Sequence, residues 1–246
     1  MNQYKSCAEL KALAKEHMFG KYGISIGATL IVAMITGFVS IFSTIFLDTT
    51  TVIGVVLNFL ISFVIAVLTG LFTSGENYFY LKIACGKPVT ISDVFYGFKL
   101  FPNKAVLIQL FIAVCMYLSM LPMTVFSFMV QRNPENSILI LPYSLSIILY
   151  LVVTVIISIT YAQVFFLLHD FPNYSVRELI SMSRKLMKGN KGRYFYLMVS
   201  FIPLMLLGLL SCGIAYLWLI PYMNATYAEF FLDLMKTNQQ NQKVSA

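Results

Sequence analysis

Six stretches of about 20 mainly apolar residues dominate this chain and leave it little choice of solvent. A helix rises about 1.5 Å per residue and satisfies its own backbone hydrogen bonds, so each stretch can cross a hydrocarbon core about 30 Å thick. The runs cover about Tyr22–Leu47, Val52–Thr73, Lys104–Val130, Ile138–Leu168, Tyr194–Ser211 and Gly213–Leu232. The fourth is long enough to tilt or to hold an interfacial turn at Pro142. Hiding these runs inside a water-soluble domain is excluded by composition. Hydrophobic residues make up 59% and charged residues only 11%, with mean hydropathy +0.81, whereas a soluble domain covers itself with about 25% charged residues. The expected fold is an all-α polytopic membrane protein over residues 1–246, with six transmembrane helices.

Charge placement orients the spans, because Lys and Arg flanks are retained on the cytoplasmic side. With six spans, 16 of the 17 Lys and Arg residues fall on one side, and only Arg132 falls on the other. A different helix count scrambles this partition. Both termini are therefore expected in the cytoplasm. The outer connections, "DTT", "QRNPENS" and "SCG", are short enough to force three antiparallel hairpins. The first twenty residues are charged throughout and lack an apolar segment with a small-residue cleavage site, so no cleaved signal peptide is expected.

Each cytoplasmic segment carries a Ser or Thr followed three residues later by an acid and then an apolar residue: "SCAEL" from Ser6, "TISDV" from Thr90 and "SVREL" from Ser175. This is a capping box, in which the hydroxyl accepts from a free helical amide and the carboxylate reaches back to the cap's own N–H. The boxes begin 84 and 85 residues apart. The spacing suggests a three-unit repeat over 1–85, 86–170 and 171–236, followed by a polar tail at 237–246. Downstream, Leu10, Leu13 and Met18 oppose Lys11 and Lys15, while Leu179, Met182, Leu186 and Met187 oppose Arg177 and Arg184. Such segments predict amphipathic helices in the headgroup layer with basic side chains near acidic lipid.

The densest basic stretch, "SRKLMKGNKGRYFYL" from Ser183, lacks the glycine spacing and following Lys-Ser or Lys-Thr of a phosphate-gripping loop. Gly189 instead suits a helix C-cap. Arg184, Lys185, Lys188, Lys191 and Arg193 are then expected to contact anionic headgroups and anchor the fifth span. The runs "LMKGNKGRYF", "GIAYLWLIPYMNATYAEFF" and "LKALAKEHMFGKYGISIGATL" resemble the bacterial integral membrane family called domain of unknown function 975. That resemblance spans nearly the whole chain and implies a multi-pass protein of a bacterial plasma membrane, with no catalytic residues to carry over. More distantly, the chain is similar to the membrane domain attached to some bacterial glycerophosphodiester phosphodiesterases, without their soluble hydrolase domain.

Chemistry-bearing motifs are sparse. His17 and His169 lack metal-ligand spacing, Cys7, Cys85, Cys115 and Cys212 are scattered, and no nucleophile elbow occurs. No catalytic residue, metal or cofactor is expected. The basic charge is accounted for by orientation, so nucleic acid is not an expected partner. Polar residues in or near the spans are better pointers, since lipid leaves them few partners. Glu76, Asn77, Gln163, Asn224 and Glu229 are the candidates for a cytoplasm-facing polar pocket, with Pro221 able to break the sixth helix near Asn224. The plainer alternative pairs Glu76 with Lys82 and Glu229 with Lys236. Thirteen methionines and 15% aromatic residues suit either an adaptable apolar groove or gap filling between helices. Tyr194, Tyr196, Trp218 and Tyr222 are expected as interfacial anchors. The expected role is a non-catalytic binding or accessory component touching membrane lipids, a membrane-protein partner or a second copy. A small-molecule or lipid transporter is the alternative, and an intramembrane enzyme the third reading.

Overall fold

The structure, a computed structural model, describes residues 4–46 and 51–245; the side chains of residues 40, 42–46 and 241–245 lie outside the description, as does the "DTT" turn. The described residues form helices joined by short turns, without strands. In order these are α1 (Cys7–Met18), α2 (Tyr22–Phe46), α3 (Val52–Ala84), a 3-10 turn at Ile91–Phe95 leading into α4 (Tyr96–Lys99), and α5 (Pro102–Arg132). A second 3-10 turn at Ser137–Leu139 precedes α6 (Ile140–Tyr161), α7 (Val164–Asp170), α8 (Val176–Met187), α9 (Lys191–Val199), α10 (Ile202–Leu210) and α11 (Tyr216–Ser245).

Five helical stretches are long and apolar enough to cross a membrane: Tyr22–Val39, Val52–Ala84, Pro102–Arg132, Ser137–Asp170 and Lys191–Leu210. The sixth expected run begins α11, where apolar sequence gives way to Glu229, Asp233 and Lys236 within the same helix. Three expected details differ. Pro221 lies inside a continuous α11, and the interruptions fall between α6 and α7 and between α9 and α10. The turn expected at Pro142 precedes it, at Ser137–Leu139. Helix α11 also continues through the segment read as a polar tail.

The capping boxes form. At α1 and α8 the Ser6 and Ser175 hydroxyls accept from the amides of Glu9 and Glu178, and Glu9 and Glu178 accept from the cap amides at 2.6 and 2.7 Å. At Thr90 the reciprocal arm is present, its N–H donating to Asp93 Oδ2 at 2.8 Å, while the hydroxyl pairs with Ser92. Helices α1 and α8 are each 12 residues long and both end at a left-handed glycine, Gly20 at φ 75° and Gly189 at φ 85°, a conformation that carries no Cβ penalty there. The middle segment replaces the helix with the shorter 3-10 turn and α4.

The cap hydrogen bonds hold Glu9 and Glu178 below the ordinary carboxylate value of 4.5. Their stabilising contribution is therefore fully present above that value and is lost as the pH falls through the depressed native value. Ser175→Ala is expected to cost roughly 1 kcal/mol at neutral pH. In detergent melts, the gap to wild type should narrow as the pH drops below 4.5. A gap unchanged by pH would exclude the ionised box.

These short helices pack on protein. Leu10, Ala14 and Met18 of α1 and Leu179 and Met187 of α8 are fully buried. Helix α1 packs on α11, the Ile91–Lys99 segment on α3, and α8 on α6 and α7. The middle segment and α8 thus each dock on the long helical stretch that precedes them in the chain, and α1 docks on the last helix. Three aromatic doublets from those helices, Phe79-Tyr80, Phe165-Phe166 and Phe230-Phe231, belong to the buried core, where Phe166 and Phe231 stack at 5.2 Å.

The core lies at the end of the bundle carrying the basic segments. Toward the other end, apolar side chains such as Leu57, Leu60, Val64, Leu118, Val125, Leu149 and Val152 are exposed around the helices, as lipid solvation requires. Burial of the α1 face changes the expected role of its lysines. Lys11 Nζ donates to the Ser200 carbonyl at 2.9 Å, within the α9–α10 interruption, and lies 4.1 Å from the centre of the Phe201 ring; Lys15 lies over Tyr222. The amphipathic face of α1 is therefore used for intramolecular packing.

Candidate functional site

The polar residues of α3 that matter most share one helix face. Thr73, Glu76, Asn77 and Tyr80 recur at three- and four-residue intervals, so their side chains stand in one stripe. This stripe lines a cavity of about 210 Å³ whose other walls are Ala162 and Phe166 beside the α6–α7 interruption, Tyr194 of α9, and Asn224 and Tyr227 of α11. The site therefore draws on α3, the α6–α7 interruption, α9 and α11, and borders the aromatic core at Tyr80 and Phe166.

Of the five residues expected in a polar pocket, the fold brings Glu76, Asn77 and Asn224 together. Gln163 is wholly buried one position beyond Ala162, and neither atom of its amide finds a hydrogen-bond partner among the described residues. It is not a wall of the cavity. Glu229 is diverted elsewhere: its Oε1 accepts from His17 Nδ1 at 2.6 Å, tying α11 to α1. Neither expected lysine pairing forms. Lys82 binds Asp93 at 2.7 Å, and Glu229 takes His17 in place of Lys236.

Each fully buried acid among the described residues meets a basic side chain, and Glu76 is half-buried. Asp93 has Lys82, Glu229 has His17, and Asp233 has Arg193. Among the described residues, Glu76 makes no ion pair or hydrogen bond. Its surroundings are phenols and amides: the Tyr80 hydroxyl pairs with Thr29 at 2.9 Å and also interacts with Asn224, and the Asn77 amide donates to the Thr73 carbonyl at 2.7 Å. The Tyr194 and Tyr227 rings sit 5.4 Å apart. None of the residues lining the cavity is basic.

The expected headgroup contacts divide. Lys185, Lys188 and Lys191 are exposed. Arg184 is exposed but donates to the Tyr161 hydroxyl at 3.2 Å. Arg193 turns inward, paired with Asp233, donating to the Lys5 carbonyl at 2.7 Å and stacked over the Tyr4 and Phe230 rings. Its Nη2 bridges the Lys5 carbonyl and Asp233, fastening the N-terminal segment to α11, so Arg193 leaves the headgroup set. Of the expected aromatic anchors, Tyr196 and Trp218 are exposed, whereas Tyr194 and Tyr222 are buried. His169 binds back to α3 through Nε2 and the Ser74 carbonyl at 2.8 Å. A mainly apolar groove of about 280 Å³ between α3 and α5 is lined by Phe59, Tyr117, Met120, Met123 and Phe128, with Asn58, Ser62, Ser127 and Gln131 also among its walls.

Tyr80, Tyr194 and Tyr227 carry much of the site, yet pattern reading passed over Tyr80 and Tyr227, because aromatic residues are abundant along the chain, and took Tyr194 for an interfacial anchor. The available signal was the i, i+3 pairing of Asn224 with Tyr227 and the stripe from Thr73 to Tyr80.

Residues 1–238 match the model of the family described as Protein of unknown function (DUF975). The chain belongs to that family. No curated protein matches, and no solved structure does. As a DUF975 member, the chain inherits no assigned activity, so the cavity must be interpreted from its own residues.

Proposed function

We propose that this DUF975 protein is a non-catalytic, membrane-embedded binding component of a bacterial plasma membrane, and that the cavity beside Glu76 is its ligand site. The observation that carries this reading is Glu76 itself. Among the described residues it is the half-buried carboxylate without an ion pair, in a bundle that pairs the buried Asp93, Glu229 and Asp233. Isolated charge in a membrane protein is costly and is retained where it meets a ligand or partner. In this reading six spans run as three hairpins with both termini in the cytoplasm, and Lys185, Lys188 and Lys191 face anionic headgroups.

Ligand occupancy is tested by native mass spectrometry of protein released from a mild detergent. Wild type should retain a small molecule or lipid that Glu76→Gln loses, while both remain folded. Equal retention by the two proteins would remove the cavity from the reading.

Topology is tested separately. In a variant freed of its four cysteines, a cysteine at Asn133 should react with an impermeant thiol reagent added outside intact cells, and one at Asn190 should not. The opposite pattern would overturn the orientation.

A second reading, a small-molecule transporter, draws support from the helix interruptions at Ala162–Gln163 and Ser200–Phe201, because broken helices commonly build transport sites. It requires flux into proteoliposomes that Glu76→Gln or Asn224→Ala abolishes. A binding component shows none.

A further inference from the structure

We propose that the Glu76 cavity recognises a compact organic ammonium group, an amine or quaternary ammonium; this rests on reading the cavity as a ligand site. The argument begins with charge. A lone carboxylate with no basic residue among the cavity walls complements a cation and repels an anion. The bundle supplies a basic side chain to its buried acids from within, through His17, Lys82 and Arg193. At Glu76 the cation must come from outside the chain.

The walls then distinguish an organic cation from a metal ion. Metal cations such as calcium or magnesium need about six to eight oxygen donors in a close shell. Here Phe166, Tyr194 and Tyr227 present rings, and Glu76 is the only carboxylate among the walls. Asn77 Nδ2 donates to the Thr73 carbonyl and the Tyr80 hydroxyl is shared with Thr29, so beyond Glu76 the walls supply only neutral amide and hydroxyl oxygens. Among the described residues, no group of three His, Cys, Asp or Glu gathers as a metal site. Aromatic faces carry partial negative charge and attract polyatomic ammonium ions without a coordination shell, which is how aromatic cages hold choline and methylated lysine.

Size completes the match. A volume of about 210 Å³ equals roughly seven waters at about 30 Å³ each, so it suits a head of comparable heavy-atom count. Such a group can arrive free in solution or as the headgroup of a zwitterionic lipid.

The test uses the full chain in nanodiscs of phosphatidylglycerol at fixed sodium, titrated by calorimetry with choline and with its uncharged carbon isostere, 3,3-dimethylbutan-1-ol. Wild type should bind choline and discriminate against the isostere by roughly tenfold or more, the expected range for losing a charge-assisted contact. Glu76→Gln should lose about that factor, Tyr227→Phe should keep the affinity because the ring persists, and Tyr227→Leu should lose it. Melting curves establish that each variant is folded.

If the alcohol binds as well as choline, or Glu76→Gln binds choline unchanged, the cavity remains a ligand site but its ammonium selectivity is refuted. If neither probe binds and Tyr227→Trp, which fills the space, leaves ligand retention in native mass spectrometry unchanged, the ligand-site reading itself falls. Nanodiscs doped with phosphatidylcholine identify the source. Weakened choline binding there assigns a lipid headgroup, and unchanged binding assigns a free ammonium compound; both outcomes support the ammonium chemistry.

Discussion

Gly75→Leu is expected to prevent the middle cytoplasmic segment from docking and to abolish accumulation of folded protein. A Cβ at Gly75 would overlap the Val94 carbonyl oxygen, and one at Gly97 would overlap the Leu71 carbonyl oxygen. The two glycines therefore let the backbones of α3 and the Ile91–Lys99 segment approach from both sides. The obstructing atoms belong to main chain, which cannot rotate away as a flexible side-chain end can. Even Gly75→Ala should cost about 3 kcal/mol, the upper part of the range for overpacked contacts. Gly192→Ala is the control, because an added methyl there meets no atom within 4 Å. It should be neutral or stabilising by up to about 1 kcal/mol. The measurement is size-exclusion profile and thermal midpoint in detergent. A Gly75→Leu protein eluting and melting like wild type would show that the close approach is absent.

Arg193→Ala is expected to destabilise the protein by about 3–5 kcal/mol, because it strands Asp233 in a buried position without its base. The guanidinium also holds the Lys5 carbonyl and covers the Tyr4 and Phe230 rings. The N-terminal segment should consequently become sensitive to protease. Arg193→Lys should rescue little, since an ammonium lacks the planar guanidinium that stacks over the Tyr4 and Phe230 rings while its Nη2 serves two acceptors. Asp233→Asn in the Arg193→Ala background should recover part of the loss by removing the stranded charge. A double variant no more stable than the single would show that the lost packing, rather than the ion pair, dominates.

Much of the fold was legible along the chain. Apolar runs locate the long helices because hydrocarbon admits only segments that close their own hydrogen bonds. The capping boxes at Ser6, Thr90 and Ser175 are read with equal directness, since a cap involves residues three apart. The candidate site was partly legible for a similar reason. Glu76, Asn77 and Asn224 stand out against apolar surroundings, and the fold gathers all three. Glu229 looked equally suitable, but its partner His17 lies 212 positions away, and no local pattern links residues so distant. Arg193 was misread for a related reason: its neighbours Lys188 and Lys191 are exposed, while helical rotation points Arg193 toward Asp233. The amphipathic stripe of α1 predicts an apolar surface beneath it, yet periodicity does not distinguish lipid from α11.

Sequence by itself determined that this polypeptide would fold as long apolar helices, where the short helices start, and which unusual polar groups would have to be accommodated. These features follow from solvation and from hydrogen bonds closed over three or four residues. Among the described residues, tertiary structure alone decided which half-buried acid would be left without an ion pair. Pairing depends on which segments packing brings together: His17 of α1 meets Glu229 of α11, Lys82 of α3 meets Asp93 and Arg193 of α9 meets Asp233 of α11, while Glu76 is surrounded by rings and amides.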